Sequence, residues 1–334
     1  MRLKEVMSTP NIFTFATSEL SQDAFLCWFL SWAKTEYLDK DQSLHSCAIG
    51  FIKEIFKKHH IEPPENIERI EITRQDKNID VLCVINNTYA IIIEDKTNTK
   101  DHSNQLERYY KEIESRNFKP KNILPIYYKT EDQGEYSKIE KAGYKPFLRN
   151  ETIQVLNKYQ GDNNILIDYR NHLSTISQKV CSYKSLPINE WSWHSWVGFY
   201  LELQQLLGSG EWSYVANPNG GFLGYWWHWQ GDKNCEQYLQ LEQDQLCFKI
   251  WVRDDEDRIN LRSFWHRQII NNRRDSNLLL LEKPSRFGNG KFMTVCKHKG
   301  DYRVSNDQGV IDMHQTVNRL KEAQNILSSV QISA

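Results

Sequence analysis

The sequence predicts an α/β domain built on a mixed sheet flanked by helices, followed by a second α+β domain. Three observations carry this. An opening helical pattern is followed by segments in the order β-β-β-α-β, the composition changes near Ser185, Leu186 and Pro187, and 334 residues suit about two domains, each able to bury its own core. The boundary is placed at 185, giving domains over 1–185 and 186–334. With 40% hydrophobic and 25% charged residues, the chain reads as globular and soluble, not disordered.

Over residues 17–34, Leu20, Ala24, Cys27, Trp28, Ser31 and Trp32 recur at three- and four-residue steps, which predicts an amphipathic helix with Thr17 or Ser18 as its N-cap. A second helix is expected over 45–58, closed by His59, His60 and the break at Pro63 and Pro64. Ile67, Ile70 and Ile72 mark a strand. Residues 78–96, NIDVLCVINNTYAIIIEDK, read as a β-hairpin whose β-branched runs, 81–85 and 89–93, are joined by a turn at Asn86, Asn87 and Thr88. A helix over 105–115, a strand over 122–130, a short helix over 154–159 and a strand entering a helix over 163–173 complete the first domain.

Nine of the eleven tryptophans lie beyond the boundary. There the pattern predicts a helix over 190–207, several strands over 212–253, a helix over 259–273, a strand pair over 279–304 and a terminal helix over 311–328.

Several classes are excluded. No apolar run approaches the roughly 18 residues that span a bilayer, and the first residues lack a signal-peptide core, so a cytoplasmic location without membrane contact is expected. Seven cysteines, with no CxxC pairing, read as reduced and mostly buried. His228, His266 and His298 lack metal-cluster spacing and read as surface or packed histidines. The glycine-containing runs GSG and NPNGG look like turns, and no Walker-type phosphate loop is present.

The hairpin carries charges at its ends. Alternation along a strand sends Glu94 and Lys96 to one side and Asp95 to the other. If the hairpin pairs around its Asn-Asn turn, partner numbers sum to about 174 and Asp80 stands opposite Glu94, with Cβ atoms about 5 Å apart. Carboxylates that close repel unless a cation sits between them, and Mg²⁺ favours one or two carboxylates together with phosphate and water. Lys96 on the same face is placed to orient or deprotonate an attacking water and to stabilise phosphate charge. The bland alternative is ion-paired groups at strand ends.

Asp80, thirteen intervening residues and then Glu94, Asp95 and Lys96 resemble the PD-(D/E)XK nuclease superfamily. Glu19 stands where that family often has a helical glutamate. Gln105 and Tyr109, four apart on one helix face, match the Q-xxx-Y of its RecB-like branch. The resemblance covers about residues 10–175 and implies a restriction-endonuclease-like core that hydrolyses nucleic acid, DNA first, with Mg²⁺ or Mn²⁺. It implies Glu19, Asp80 and Glu94 as metal ligands and Lys96, Gln105 and Tyr109 as catalytic groups. Related bacterial or phage-linked proteins act in restriction and defence or in DNA processing. Two departures stand out: Ile79 replaces the family proline, and Asp95 puts an acid where an apolar residue is common. That acid requires a polar partner or an exposed sheet end.

Net charge is −1, but residues 258–303 hold eleven Lys/Arg against three acids. On the helix expected there, Leu261, Trp265 and Ile269 form an apolar column beside Arg258, Arg262 and His266. With Arg267, Arg273 and Arg274, these arginines are candidates for nucleic-acid contact. The tryptophans read as core packing first and base-stacking platforms second. The second domain is expected to bind substrate or a protein partner, a second copy of the chain included. Two rival functions remain at this point: a non-catalytic nucleic-acid-binding or assembly module on the same fold, and an RNA nuclease.

Overall fold

The computed structural model describes residues 10–97, 104–217, 220–273 and 278–330; Arg274 and the first nine residues lie outside them. The chain divides into two units, one of Met1–Asp132 with Tyr136–Gln178, the other of Gln133–Glu135 with Lys179–Ala334.

The first unit runs α1 (Glu19–Ser31), α2 (Gln42–Lys58), β1 (Ile70–Asp76), β2 (Ile79–Ile85), β3 (Tyr89–Lys96), α3 (Gln105–Ser115), β4 (Ile123–Lys129), α4 (Ser137–Lys141), β5 (Lys145–Leu148), α5 (Arg149–Leu156) and α6 (Asn164–Cys181). Its five strands lie in sequence order, β1 to β3 antiparallel and β4 and β5 parallel to β3. Asn86 and Asn87 turn the β2–β3 hairpin with φ of 50° and 51°, a left-handed pair that asparagine tolerates and that matches the twist of the strands. The register runs from Ile85 opposite Tyr89 to Val81 opposite Ile93, as the sum of 174 requires. Lys77 and Asn78 are left-handed as well, at 52° and 70°, and close the β1–β2 hairpin.

Ala90 and Ile92 pack with Leu106, Tyr109 and Ile113 of α3 on one face of this sheet. On the opposite face, α2 brings Phe51 against Tyr128 and Phe147, while Phe25 of α1 stacks on Tyr169 of α6 at 3.7 Å. The helix α1 forms as expected, with Ser18 accepting from the Ser21 N–H, but it buries a different face. Phe25, Leu26, Phe29 and Leu30 are buried with Gln22 and Asp23, whereas Leu20 is exposed. Residues 24–30 are apolar all the way round, so periodicity alone could not choose between faces.

One further expectation is corrected, and one strand is added. Residues 164–181 are one helix with no strand at its start: Leu166, Tyr169, Leu173 and Ile176 are buried at helical spacing, and Asn163 Oδ1 caps it by accepting from Ile165 N (3.1 Å) and Leu166 N (3.3 Å). The four-residue β5, with Pro146 in it, went unread because it is too short to show alternation.

The second unit holds α7 (Trp193–Leu207), β6 (Glu211–Val215), β7 (Phe222–Gly231), β8 (Cys235–Glu242), β9 (Gln245–Val252), α8 (Arg258–Asn272), β10 (Leu281–Glu282), β11 (Phe292–His298) and α9 (Met313–Ser328). Its six strands form an antiparallel sheet in the order β10-β11-β9-β8-β7-β6. Leu239, Leu241, Phe248 and Ile250 pack in one core with side chains of α7, α8 and α9. Trp196, Trp212, Trp227 and Trp265 are core residues, and only Trp193 and Trp229 are strongly exposed. The histidines are packed: His228 meets Ser328 Oγ at 2.8 Å, His266 the Val295 carbonyl at 2.8 Å, and His298 accepts from Leu280 N. No helix among the described residues is long and apolar enough to cross a membrane.

Candidate active site

The site stands where the central hairpin ends. Continuing the β2–β3 register one step past Val81 and Ile93 brings Asp80 beside Glu94. Asp80 is fixed by two donors: the Asp95 N–H reaches its Oδ2 at 2.9 Å, and Gln75 Nε2 reaches its Oδ1 at 3.2 Å.

Glu94 is fully buried and faces α3. Its Oε1 pairs with Lys96 Nζ and accepts from Gln105 Nε2 at 3.0 Å, while Oε2 has no hydrogen-bond partner among the described residues. Burial first, and the charge of Asp80 second, push the Glu94 carboxyl up to about 8 against the pull of Lys96. Burial works against the Lys96 ammonium, but Glu94, Asp80 and Glu19 outweigh it and hold its pKa above the ordinary lysine value. Lys96 is therefore a cation at neutral pH.

Glu19, in the first turn of α1, accepts from Thr97 N at 3.1 Å and places Oε2 4.0 Å from Lys96 Nζ. On α3, Gln105 Nε2 also reaches the Tyr109 hydroxyl at 2.7 Å, so the two residues one turn apart meet as their spacing requires. The structure thus gathers Glu19, Asp80, Glu94, Lys96, Gln105 and Tyr109. In this conformation Lys96 occupies Glu94 Oε1, and no three His, Cys, Asp or Glu among the described residues are arranged around one ion-sized point.

Four residues of this site were not foreseen. Asp95, fully buried on the opposite face of β3, finds its polar partner in Gln22, whose amide donates to Oδ1 and whose own oxygen accepts from Tyr169 (3.1 Å). Burial drives the Asp95 pKa well above the usual carboxylate range. Asp23, one residue on from Gln22, shares Gln75: the amide that holds Asp80 also reaches Asp23 Oδ2 at 3.2 Å. Gln75 takes a left-handed φ of 58°, a strained conformation for a side chain of its size. Lys129 stands beside Lys96 in the parallel register, donates to the Thr97 carbonyl at 2.6 Å and is pulled down to about 8 by burial. Gln22 and Asp23 carried a readable signal, two adjacent polar residues before an apolar run; Gln75 and Lys129 depend on pairings that no turn announces.

The α8 arginines behave differently from one another. Arg258 is ion-paired with Asp255 at 2.5 Å, and Arg262 donates to the Gly288 carbonyl at 2.6 Å. Arg273 is exposed and donates to the Leu281 carbonyl, while Arg267 is exposed.

An acid at the start of β2, an acid and a lysine two apart on β3, and a glutamate from α1 thus stand together at one end of a mixed sheet. The chain belongs to the PD-(D/E)XK nuclease superfamily, whose family model matches residues 10–191, more than half of its length. The five-stranded unit is accordingly a restriction-endonuclease-like core, and nucleases of this superfamily generally use divalent metals. No match was found among curated proteins or among solved structures.

Proposed function

We propose that the first unit hydrolyses phosphodiester bonds in nucleic acid, with DNA as substrate, using a divalent cation, Mg²⁺ or Mn²⁺, held by Asp80 and Glu94 with Glu19 beside them. One observation carries the reading: the buried Glu94 keeps an unpartnered Oε2 next to a second carboxylate, an arrangement that burial and repulsion disfavour and a divalent ion stabilises. The donor set is all oxygen, which suits a hard cation. When bound, such an ion supplies Lewis-acid stabilisation of phosphate charge and a more acidic water.

The chain's own groups do the rest. Gln105 donates to Glu94 Oε1, so Oε2 is the oxygen that would be available to a cation. Lys96, protonated, stabilises the charge that builds on the phosphate and orients the attacking water; as a cation it is no general base in this state. Tyr109 accepts from Gln105, which frees its hydroxyl hydrogen for a phosphate oxygen.

The test is cleavage of labelled single- and double-stranded DNA and RNA by the full chain in Mg²⁺, Mn²⁺ or EDTA. Cleavage is expected only with the divalent ions and is lost in Asp80→Ala and Glu94→Ala. Lys96→Ala keeps metal binding and loses most activity. An unchanged rate in either acid variant would remove the site from consideration. Nucleic acid bound but never cut would make the chain a non-catalytic binding module, and cleavage confined to RNA would make it an RNA nuclease.

A further inference from the structure

Among the described residues, two groups stand out within the cation surplus of residues 258–303. One group is spent inside the fold. Arg258 pairs with Asp255 and Lys297 with Glu282, while Arg303 is 8% exposed, paired with Asp301 and held 4.8 Å and 4.3 Å from the rings of Trp191 and Trp196. The other group sits on the β10–β11 connection, residues 283–291, KPSRFGNGK, which contains no acid. Lys283, Arg286 and Lys291 are exposed and have no carboxylate partner among the described residues.

That connection is anchored. Arg262 of α8 donates to the Gly288 carbonyl and lies 4.9 Å from the Phe287 centroid, and His266 meets the same ring edge-on at 5.3 Å. Lys283 approaches Phe287 as well, at 4.5 Å, so two cations share one ring, neither with a carboxylate partner among the described residues. Attraction to the ring offsets their repulsion only in part. An anionic oxygen set against both would neutralise it. Lys291 lies over Trp251 at 5.0 Å, and a Cβ built at Gly288 meets nothing within 4 Å, so the backbone there is open to close approach.

We propose that the β10–β11 connection is a phosphate-backbone-binding loop for nucleic acid, with Lys283, Arg286 and Lys291 as its contacts and Arg262 with Phe287 as its anchor. The assignment rests on the nuclease reading for its choice of polyanion. It moves the contact from the helix arginines favoured by sequence to a loop that one of them supports. The eight steps from Lys283 to Lys291 reach at most about 27 Å, and a duplex carries one charge per roughly 1.7 Å, so each of the three cations has a phosphate within range.

The experiment is a salt titration of affinity by fluorescence anisotropy, with the full chain in EDTA and labelled duplex DNA, single-stranded DNA and RNA of one sequence. Lys283→Ala/Arg286→Ala/Lys291→Ala is expected to reduce the slope of log K against log salt by about 2–3. Phe287→Leu, which removes no charge, weakens binding several-fold by loosening the loop. Arg258→Ala, already neutralised by Asp255, leaves the slope unchanged. A triple variant with the parental slope and affinity overturns the proposal, as does a parent displaced from DNA as readily by polyglutamate as by unlabelled DNA, which would mark an acidic protein as the partner. Divalent-dependent cleavage by the parent is scored in parallel. A protein that cuts but keeps its slope in the triple variant refutes the loop alone. One that binds through the loop and never cuts supports the loop and refutes the catalytic reading.

Discussion

Replacing Gln75 separates a hydrogen bond from the strain that delivers it. Its amide bridges Asp80 Oδ1 and Asp23 Oδ2 at 3.2 Å each, from a backbone held at φ 58°. Hydrogen bonds to charged groups contribute about 1.5–3 kcal/mol when well buried; Gln75 is exposed and both bonds are long, so about 1 kcal/mol each is the fitting scale. In Gln75→Ala, Asp80 keeps one donor, the Asp95 N–H, so its orientation loosens without being lost. Loss of such a supporting bond typically costs 10–100-fold in metal affinity, and the surviving donor places this case near about 10-fold, or about 1.4 kcal/mol. Alanine inherits the left-handed strain, whereas Gln75→Gly relieves about 1 kcal/mol of it. Isothermal titration of the full chain with Mn²⁺, beside urea denaturation, is expected to show both variants binding about 10-fold more weakly and the glycine variant as the more stable of the two. Parental affinity in Gln75→Ala would refute the reasoning, and affinity restored in Gln75→Gly would show that strain, not the amide, governs Asp80.

Two further outcomes follow from buried groups. Burial lowers the His59 pKa from 6.5 to about 4, while its Nε2 meets the Pro125 carbonyl at 3.2 Å. The folded state therefore binds fewer protons than the unfolded one, and this stability is complete above pH 6.5 and lost as pH falls toward 4. Urea midpoints of the parent should drop across that window relative to His59→Gln, and parallel profiles would exclude His59 as the cause. Gln22→Ala leaves the Asp95 side chain without its donor and Tyr169 with only Tyr128 as a partner, which should cost about 3 kcal/mol. A loss under about 0.5 kcal/mol would mean that the pocket rehydrates or repacks.

The hairpin site was legible because antiparallel pairing around a short turn is arithmetic: once Asn86 and Asn87 are taken as the turn, Asp80 can stand only beside Glu94. Gln105 and Tyr109 were legible because helix spacing fixes their meeting. Lys129 was not, since a parallel neighbour joins through a helix and no local signal sets its register against Lys96. Gln75 was hidden by its conformation, which a strand pattern does not anticipate, and the buried face of α1 by a run of apolar residues that fits either side. The α8 column of arginines was visible as a pattern, but the carbonyl and carboxylate that occupy Arg262 and Arg258 come from distant or irregular segments.

The Asn86–Asn87 turn also makes the site a matter of parity. Because side chains alternate with a period of two, one residue removed from that turn carries Asp80 past Glu94 to Asp95, whose side chain points to Gln22 and α1, and one residue added sets it opposite Ile93 on the same wrong face. The two acids would then lie on opposite faces of the same sheet with every residue of the motif still present in the chain. A search for the motif letters alone would accept such a sequence; counting the turn would reject it.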